Sequence, residues 1–494
     1  MNPIDRSLVR NRDLRLRCIV IAIGIAIPLA SIAGTRVAAA QDFTGASASP
    51  STSARPSPAF DALQAASAAA RGAVERAKPN QQAALRYLAY VALAQRQVLA
   101  AIERGGAIDD NDAVAGEHRA ASRNRSSGAI AGGSATAANP NDAAATTDNA
   151  VNADNAAADA AAALWRVTAR VTESLLPAAP IALPADVAPR AAAPNVAATA
   201  DRIAAGIVER AAGDRFDLTF EGAVPQGRAQ WASQLQPARP PHLPRLGEMK
   251  TFYLASGSAV RPPAPPALGS AEFQRDLDEL QRIATTRTET QVATAKFWEM
   301  TTGSLVAGHW QQVALDLARK HRADPRSAVR AASASLLAAL DANIACHDAK
   351  YTYWVPRPSQ VDPTLKPIIA LPNHPSYPSN HACDSGAAAL VLAQFYPSER
   401  DALVAQAIAA GESRLYGSIH YRFDADAGMA IARDVAAAVE RAEGMQSSLA
   451  SGGETNAANE ATDTAPGATD AARQRTDAAR QETGAAATLS WSRR

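Results

Sequence analysis

Three clusters in the chain hold residue types suited to gripping an anion with several oxygens. The first is Lys350, six residues, then Arg357-Pro358; the second is Pro378-Ser379-Asn380-His381. The third is Ser413-Arg414, five residues, His420, three residues, Asp424. Lys350, Arg357 and Arg414 supply three cations. A guanidinium binds phosphate-like oxygens through two parallel hydrogen bonds, and lysine acts as a point charge. Ser379 offers a hydroxyl. If a helix begins at Asn380, its first backbone N–H groups and its dipole favour the same anion. His420 and Asp424 are four apart and share a face if that stretch is helical. The carboxylate then holds one ring nitrogen and leaves the other free to attack. His381 is placed to donate a proton to a leaving group. Each cluster alone is commonplace: a solvated charge pair, a turn into a helix, a local hydrogen bond. Together they describe a site for a tetrahedral or trigonal-bipyramidal oxyanion.

Helices must position these residues. The 494 residues allow more than one domain. Segments near 270–284, 288–300, 309–322, 326–350, 380–395, 398–414 and 424–443 read as helices, with a Pro-rich loop over 355–379. No alternating strand pattern accompanies them, so the expected class is all-α. Upstream, 58–103 is helical, with apolar residues such as Leu85, Leu88 and Val98 on one face. Residues 104–157 almost lack large apolar side chains and read as a disordered insertion. Helical periodicity resumes at 158, and 204–212 reads as a further helix. The Pro-rich segment 216–269, with Trp231, Phe252 and Tyr253, reads as a surface strap. The helical catalytic domain is expected to run over 158–444, and 445–494 reads as a disordered tail.

Lys plus Arg number 49 and Asp plus Glu 48, a formal net charge of +1, which gives no global footprint for nucleic acid. Cys18, Cys346 and Cys383 are too few for a disulfide scaffold or a cysteine-rich zinc module. Arg6 to Arg17 form a basic start, Cys18 to about Gly34 an apolar run, and Ala38-Ala39-Ala40 a small-residue exit. This pattern predicts a signal peptide over 1–40 cleaved after Ala40, a disordered linker over 41–57, and a periplasmic or secreted protein. No later segment is expected to span a membrane.

The three clusters resemble the type 2 phosphatidic acid phosphatase and vanadium haloperoxidase superfamily. Phe297-Trp298, the surroundings of His309-Trp310, and the stretches 344–350, 374–381 and 419–424 are similar to its soluble bacterial haloperoxidase-like members. The resemblance covers about 250–443 well and 81–215 faintly. It implies an all-α helical bundle of the acid phosphatase/vanadium haloperoxidase type, here with disordered insertions and tail. It also implies that Lys350, Arg357, Ser379, His381, Arg414 and His420 surround phosphate or vanadate, with Asp424 orienting His420. The family usually has glycine where this chain has Asn380. Asparagine keeps the backbone N–H and tolerates left-handed geometry.

The first expectation is phosphoric monoester hydrolysis through a phosphohistidine on His420, with no cofactor. The alternative is a vanadium-dependent haloperoxidase, with vanadate as cofactor and His420 as its ligand, acting on halide and peroxide. A non-catalytic oxyanion-binding protein is the third. The partners are small molecules in either enzymatic case. His347 reads as a structural histidine, and His374 as an entrance or turn residue. Cys346 and Cys383 flank the site and are expected to form a disulfide in an oxidising compartment.

Overall fold

The computed structural model describes residues 57–104 and 143–445, with side chains in the second segment described from 154 onward. The expected signal peptide, nearly all of the 41–57 linker, residues 105–142 of the insertion and the tail beyond 445 lie outside the described residues. What is described is helical, without strands.

The amino-terminal helices are α1 (Pro58–Ala77), α2 (Gln81–Glu103), α3 (Ala143–Leu175), the short α4 (Ala188–Ala191) and α5 (Pro194–Ala212). Each start has a local cause. Ser57 accepts from Phe60 N–H at α1, and Asn80 accepts from Ala83 N–H at α2. Lys78 takes a left-handed φ of 50° and closes α1, so the expected single helical stretch breaks in two. Helix α3 begins at Ala143 rather than 158. The segment lacks large apolar residues, but alanine is the best helix former, so the backbone coils without a bulky face. Helix α5 begins at Pro194, earlier than expected, with proline in its first turn, where a missing N–H costs nothing.

The strap 216–269 carries only two short 3-10 turns, Leu246–Glu248 and Gly257–Val260. It is fastened over the bundle by buried Trp231 and Phe252. Asp341 anchors it from below: the carboxylate accepts from the N–H groups of Phe252 (2.8 Å), Tyr253 (2.7 Å) and Leu254 (3.0 Å). A Cβ on Gly247 would lie 2.6 Å from Asp348 Cα, so only glycine lets the strap cross so close.

The remaining helices are α6 (Ala271–Thr286), α7 (Glu289–Glu299), α8 (Leu305–Lys320), α9 (Pro325–Tyr353), α10 (Pro358–Val361), α11 (Asn380–Phe395), α12 (Arg400–Tyr416) and α13 (Arg422–Ala442). Helix α9 starts with Asp324 accepting from Arg326 and Ser327 N–H and with Pro325 in the first turn. It packs against α2, α8, α11 and α13, while α11 packs against α9, α12 and α13. Contrary to expectation, the stretch Pro325–Val361 is long and apolar enough to cross a bilayer. Its apolar window is 94% buried within the bundle, as befits a central core helix. A Cβ on Gly428 would lie 2.7 Å from Ala382 Cβ and 2.8 Å from Ser379 O. This close crossing brings the start of α13 onto the start of α11.

Candidate active site

The three clusters converge at one end of the bundle. Lys350 comes from the last turn of α9, Arg357 from the loop that follows, and Ser379, Asn380 and His381 from the start of α11. Arg414 comes from the last turn of α12, His420 from the turn after it, and Asp424 from the first turn of α13. Lys350, Arg357, Ser379 and Asp424 are fully buried, and Arg414 and His420 are 3% exposed.

The imidazole of His420 is held from both sides. Its Nδ1 lies 2.8 Å from Asp424 Oδ2, and its Nε2 lies 2.9 Å from Arg357 Nη1. A guanidinium only donates, so Nε2 accepts and carries the lone pair, and the ring proton sits on Nδ1. His420 is not helical, contrary to the expectation of a shared helical face. Asp424 reaches back across the α13 start, and its Oδ2 also accepts from Tyr421 N–H (3.1 Å) and Ser376 Oγ (2.5 Å). Burial pushes Asp424 up to about 6, although Ser376 and Lys350 pull the other way. Burial, with Arg357 and Lys350 nearby, drives His420 well below the usual imidazole value.

The three cations divide the work unequally. Lys350 Nζ donates to the carbonyls of Pro375 (3.0 Å), Ser376 (2.8 Å) and Pro378. Its three hydrogens are thereby committed to shaping the loop before α11. Arg357 donates through Nε to His374 O (3.0 Å), through Nη1 to Ile419 O (2.7 Å) and through Nη2 to His374 Nδ1 (3.1 Å). Arg414 donates only to Ser413 Oγ (2.9 Å) and Ala295 O (3.0 Å), so it keeps the most unused N–H groups. Burial lowers Lys350 to about 8, Arg357 to about 10 and Arg414 to about 9, and all three remain cationic at neutral pH. None of the three is ion-paired among the described residues, and Asp424 is the carboxylate held inside the cage. A buried excess of positive charge requires an anion.

The start of α11 supplies the other contacts. Ser379 occupies the N-cap, yet its hydroxyl makes no cap bond and is buried without a partner. Asn380 is the first residue of a right-handed helix, so the position does not call for glycine or for left-handed geometry. Its amide lies 3.3 Å from His347 Nδ1. His381 Nε2 lies 2.7 Å from the carbonyl oxygen of Trp298. A carbonyl has no hydrogen to give, so Nε2 carries the proton and Nδ1 carries a lone pair. Burial, Arg414 and Lys350 hold this ring well below the usual imidazole value, and therefore neutral. In this arrangement its one proton is committed to the Trp298 carbonyl.

An open cleft of about 660 Å³ leads to the cage. His381, Arg414 and His420 face it, with Leu243 and Pro240 of the strap and Val306 of α8 forming apolar wall. The strap is stitched to the Arg357 loop by His242 N–H to Asn373 O (2.8 Å) and Asn373 Nδ2 to Pro240 O (2.7 Å).

Other residues resolve as follows. His347 is buried, its Nδ1 3.0 Å from Asn343 O and 3.3 Å from Asn380 Nδ2, the structural role expected. His374 lines the cleft, as one of its two expected roles had it, and also buttresses Arg357 through carbonyl and ring. The expected Cys346–Cys383 disulfide is absent: both are free buried thiols, and Cys346 Sγ donates to Pro378 O (3.6 Å). Ser376 and the Trp298 carbonyl escaped sequence reasoning. Nothing in the sequence distinguishes Ser376 from other loop serines, and a main-chain acceptor leaves no residue-type signal.

Residues 331–445 match the PAP2 superfamily profile. No curated protein matches the chain by sequence. Among solved structures, a bacterial vanadium-dependent iodoperoxidase is 21% identical with a TM-score of 0.57, over 80% of this chain and 98% of that one. A bacterial vanadium-dependent chloroperoxidase in its holo form is 12% identical with a TM-score of 0.51, over 74% and 92%. The apo chloroperoxidase gives 13% and 0.52, over 74% and 93%. Residues 331–445 thus match the PAP2 superfamily model, and the chain shares the fold of the vanadium-dependent haloperoxidases it is similar to.

Proposed function

We propose that the chain is a vanadate-dependent haloperoxidase that oxidises a halide with hydrogen peroxide. The observation that carries this reading is the bond from His381 to the Trp298 carbonyl. Hydrolysis of a phosphate ester asks this histidine for a proton to give to the leaving oxygen. A neutral ring with its hydrogen committed and a bare Nδ1 is instead a base, suited to taking a proton from hydrogen peroxide. The likeness to an iodoperoxidase over 98% of that chain supports the same choice.

The residues fit vanadate as they fit phosphate. His420 Nε2 offers a lone pair, and the buried Ser379 hydroxyl lacks a partner. His420 would hold the group through Nε2. Arg414, Ser379 and the first N–H groups of α11 would hold its oxygens, and Arg357 would exchange its bond to Nε2 for one of them. Bound vanadate supplies Lewis-acid activation of peroxide. Asp424 keeps the His420 proton on Nδ1 and the Nε2 lone pair turned toward the cage.

Phosphate ester hydrolysis is the second reading, favoured by the PAP2 match and by the same lone pair, which suits attack on phosphorus. Two assays of the purified chain separate them: halogenation of an acceptor dye with peroxide, with and without vanadate, and release of p-nitrophenol from its phosphate. Expected is vanadate-dependent halogenation, lost in His420→Ala and reduced about 100-fold or more in His381→Ala. His420-dependent phosphatase activity without halogenation would overturn the first reading in favour of the second. We also propose export, from the pattern of residues 1–40, and a mature amino terminus at Gln41 tests it.

A further inference from the structure

Helix α11 carries a second ionisable group into the cleft. Asp384 lies four residues after Asn380 and three after His381, so the three share one helix face, and all three line the same cleft. Its two carboxyl oxygens lie 3.0 and 2.9 Å from Asn343 Nδ2, which is its one hydrogen-bond partner among the described residues. No cation among the described residues is paired with it. On its partner Asn343 and its helix neighbour Asn380, two buried amide oxygens lack a donor, Asn343 Oδ1 and Asn380 Oδ1. A buried neighbourhood rich in unmet acceptors favours a group that carries a hydrogen. The groups around Asp384 are Asn343, His347 and Lys350 of α9, His381 and Cys383 of α11, Gln81 of α2, and Arg414 and His420 across the cleft. Burial pushes the Asp384 carboxyl up to about 8, against weaker pulls from Asn343 and Lys350.

We propose that Asp384 is the proton donor of this site, delivering its carboxyl hydrogen to the oxygen that leaves during turnover. The proposal rests on the reaction read above and supplies what that reaction lacks. When a halide is oxidised by hydrogen peroxide, the halide gives two electrons and the O–O bond breaks. One oxygen ends in hypohalous acid, the other leaves as water, and one proton is consumed. His381 Nδ1 takes a proton from the incoming peroxide. The Asp384 O–H bond then breaks and a new O–H bond forms on the departing oxygen, His381 returns the proton it took to the second product oxygen, and the Asp384 carboxylate is reprotonated through water in the cleft.

The test uses Asp384→Asn and Asp384→Glu in the full chain. Infrared spectroscopy should show the carbonyl band of a protonated carboxyl group at pH 6.5, disappearing as pH rises past about 8 and missing in Asp384→Asn. The asparagine variant should lose about 100-fold in kcat and the falling alkaline limb of the rate profile, bind vanadate as tightly as wild type, and be partly rescued by glutamate. An asparagine variant with wild-type kcat and pH profile overturns the proposal. So does a carboxylate already ionised at pH 6.5. Wild type silent with both peroxide and phosphate esters sinks the reaction and with it the donor role, while the band still reports whether Asp384 carries a proton.

Discussion

Asp341 under the strap and Asp424 in the cage are alike in burial and in acidity. Both are fully buried, both accept from three groups, and burial raises both to about 6. They differ in who donates. Asp341 takes three backbone N–H groups and no side-chain hydrogen bond among the described residues. Asp424 takes one backbone N–H, a serine hydroxyl and a histidine ring whose other nitrogen faces a guanidinium. Burial and a displaced acidity therefore do not identify a reactive carboxylate. What distinguishes Asp424 is that its partner is itself a chemical group with a second, outward-facing atom.

Replacing the two residues breaks the likeness in opposite directions. Asp424→Asn should leave the fold nearly intact and lower turnover about a thousandfold, because an amide no longer fixes the His420 tautomer. Asp341→Ala should leave three buried N–H groups unpaired. It should cost about 3 kcal/mol in chemical denaturation, with kcat in the folded fraction little changed. A variant of Asp341 that stayed stable while losing turnover would erase the distinction.

The glycine at the α11–α13 crossing offers a smaller perturbation. Gly428→Val must push the two helix starts apart against Ala382 and Ser379 O. Expected are about 1–3 kcal/mol of lost stability by thermal unfolding and a several-fold weaker affinity for vanadate. Unchanged affinity would mean that the crossing does not set the cage.

pH separates the two carboxylates most finely. An unfolded aspartate titrates near 3.9, so the folded chain binds these protons more tightly between roughly pH 4 and 6. Each group therefore makes stability fall as pH rises through that window, and the Asp341 share should vanish in Asp341→Asn. Activity runs the other way, since the cage needs Asp424 ionised: the rate should fall as pH drops through about 6. That acid limb should persist in Asp341→Asn. His420, held well below its usual value, adds nothing there.

Much of this was legible in the sequence, and for physical reasons. The eight residues assigned to the cage came together because motif spacing reports the geometry that a ligand demands. Helices α6 to α9 and α11 to α13 were placed to within four residues, since Ser270, Thr288 and Asp324 with Pro325 are strong start signals, while the short α10 lies in the stretch expected to be loop. The alanine-rich start of α3 was missed because a pattern of large apolar residues says nothing about a helix without them. Interactions through the main chain were missed too. The Trp298 carbonyl that fixes His381 and the three carbonyls that absorb Lys350 depend on where a loop passes, not on which residues it contains. Asp384 lay in plain view three residues beyond His381, and only the cleft shared by the two gave it meaning.

The central claim is that this cage holds one oxyanion through His420. Calorimetric titration of the purified chain with orthovanadate tests it most directly. Expected is a single saturable site per chain in wild type, abolished in His420→Ala and strongly weakened in Arg414→Ala, with both variants still folded. Equal vanadate binding by wild type and His420→Ala, or none by either, would contradict it.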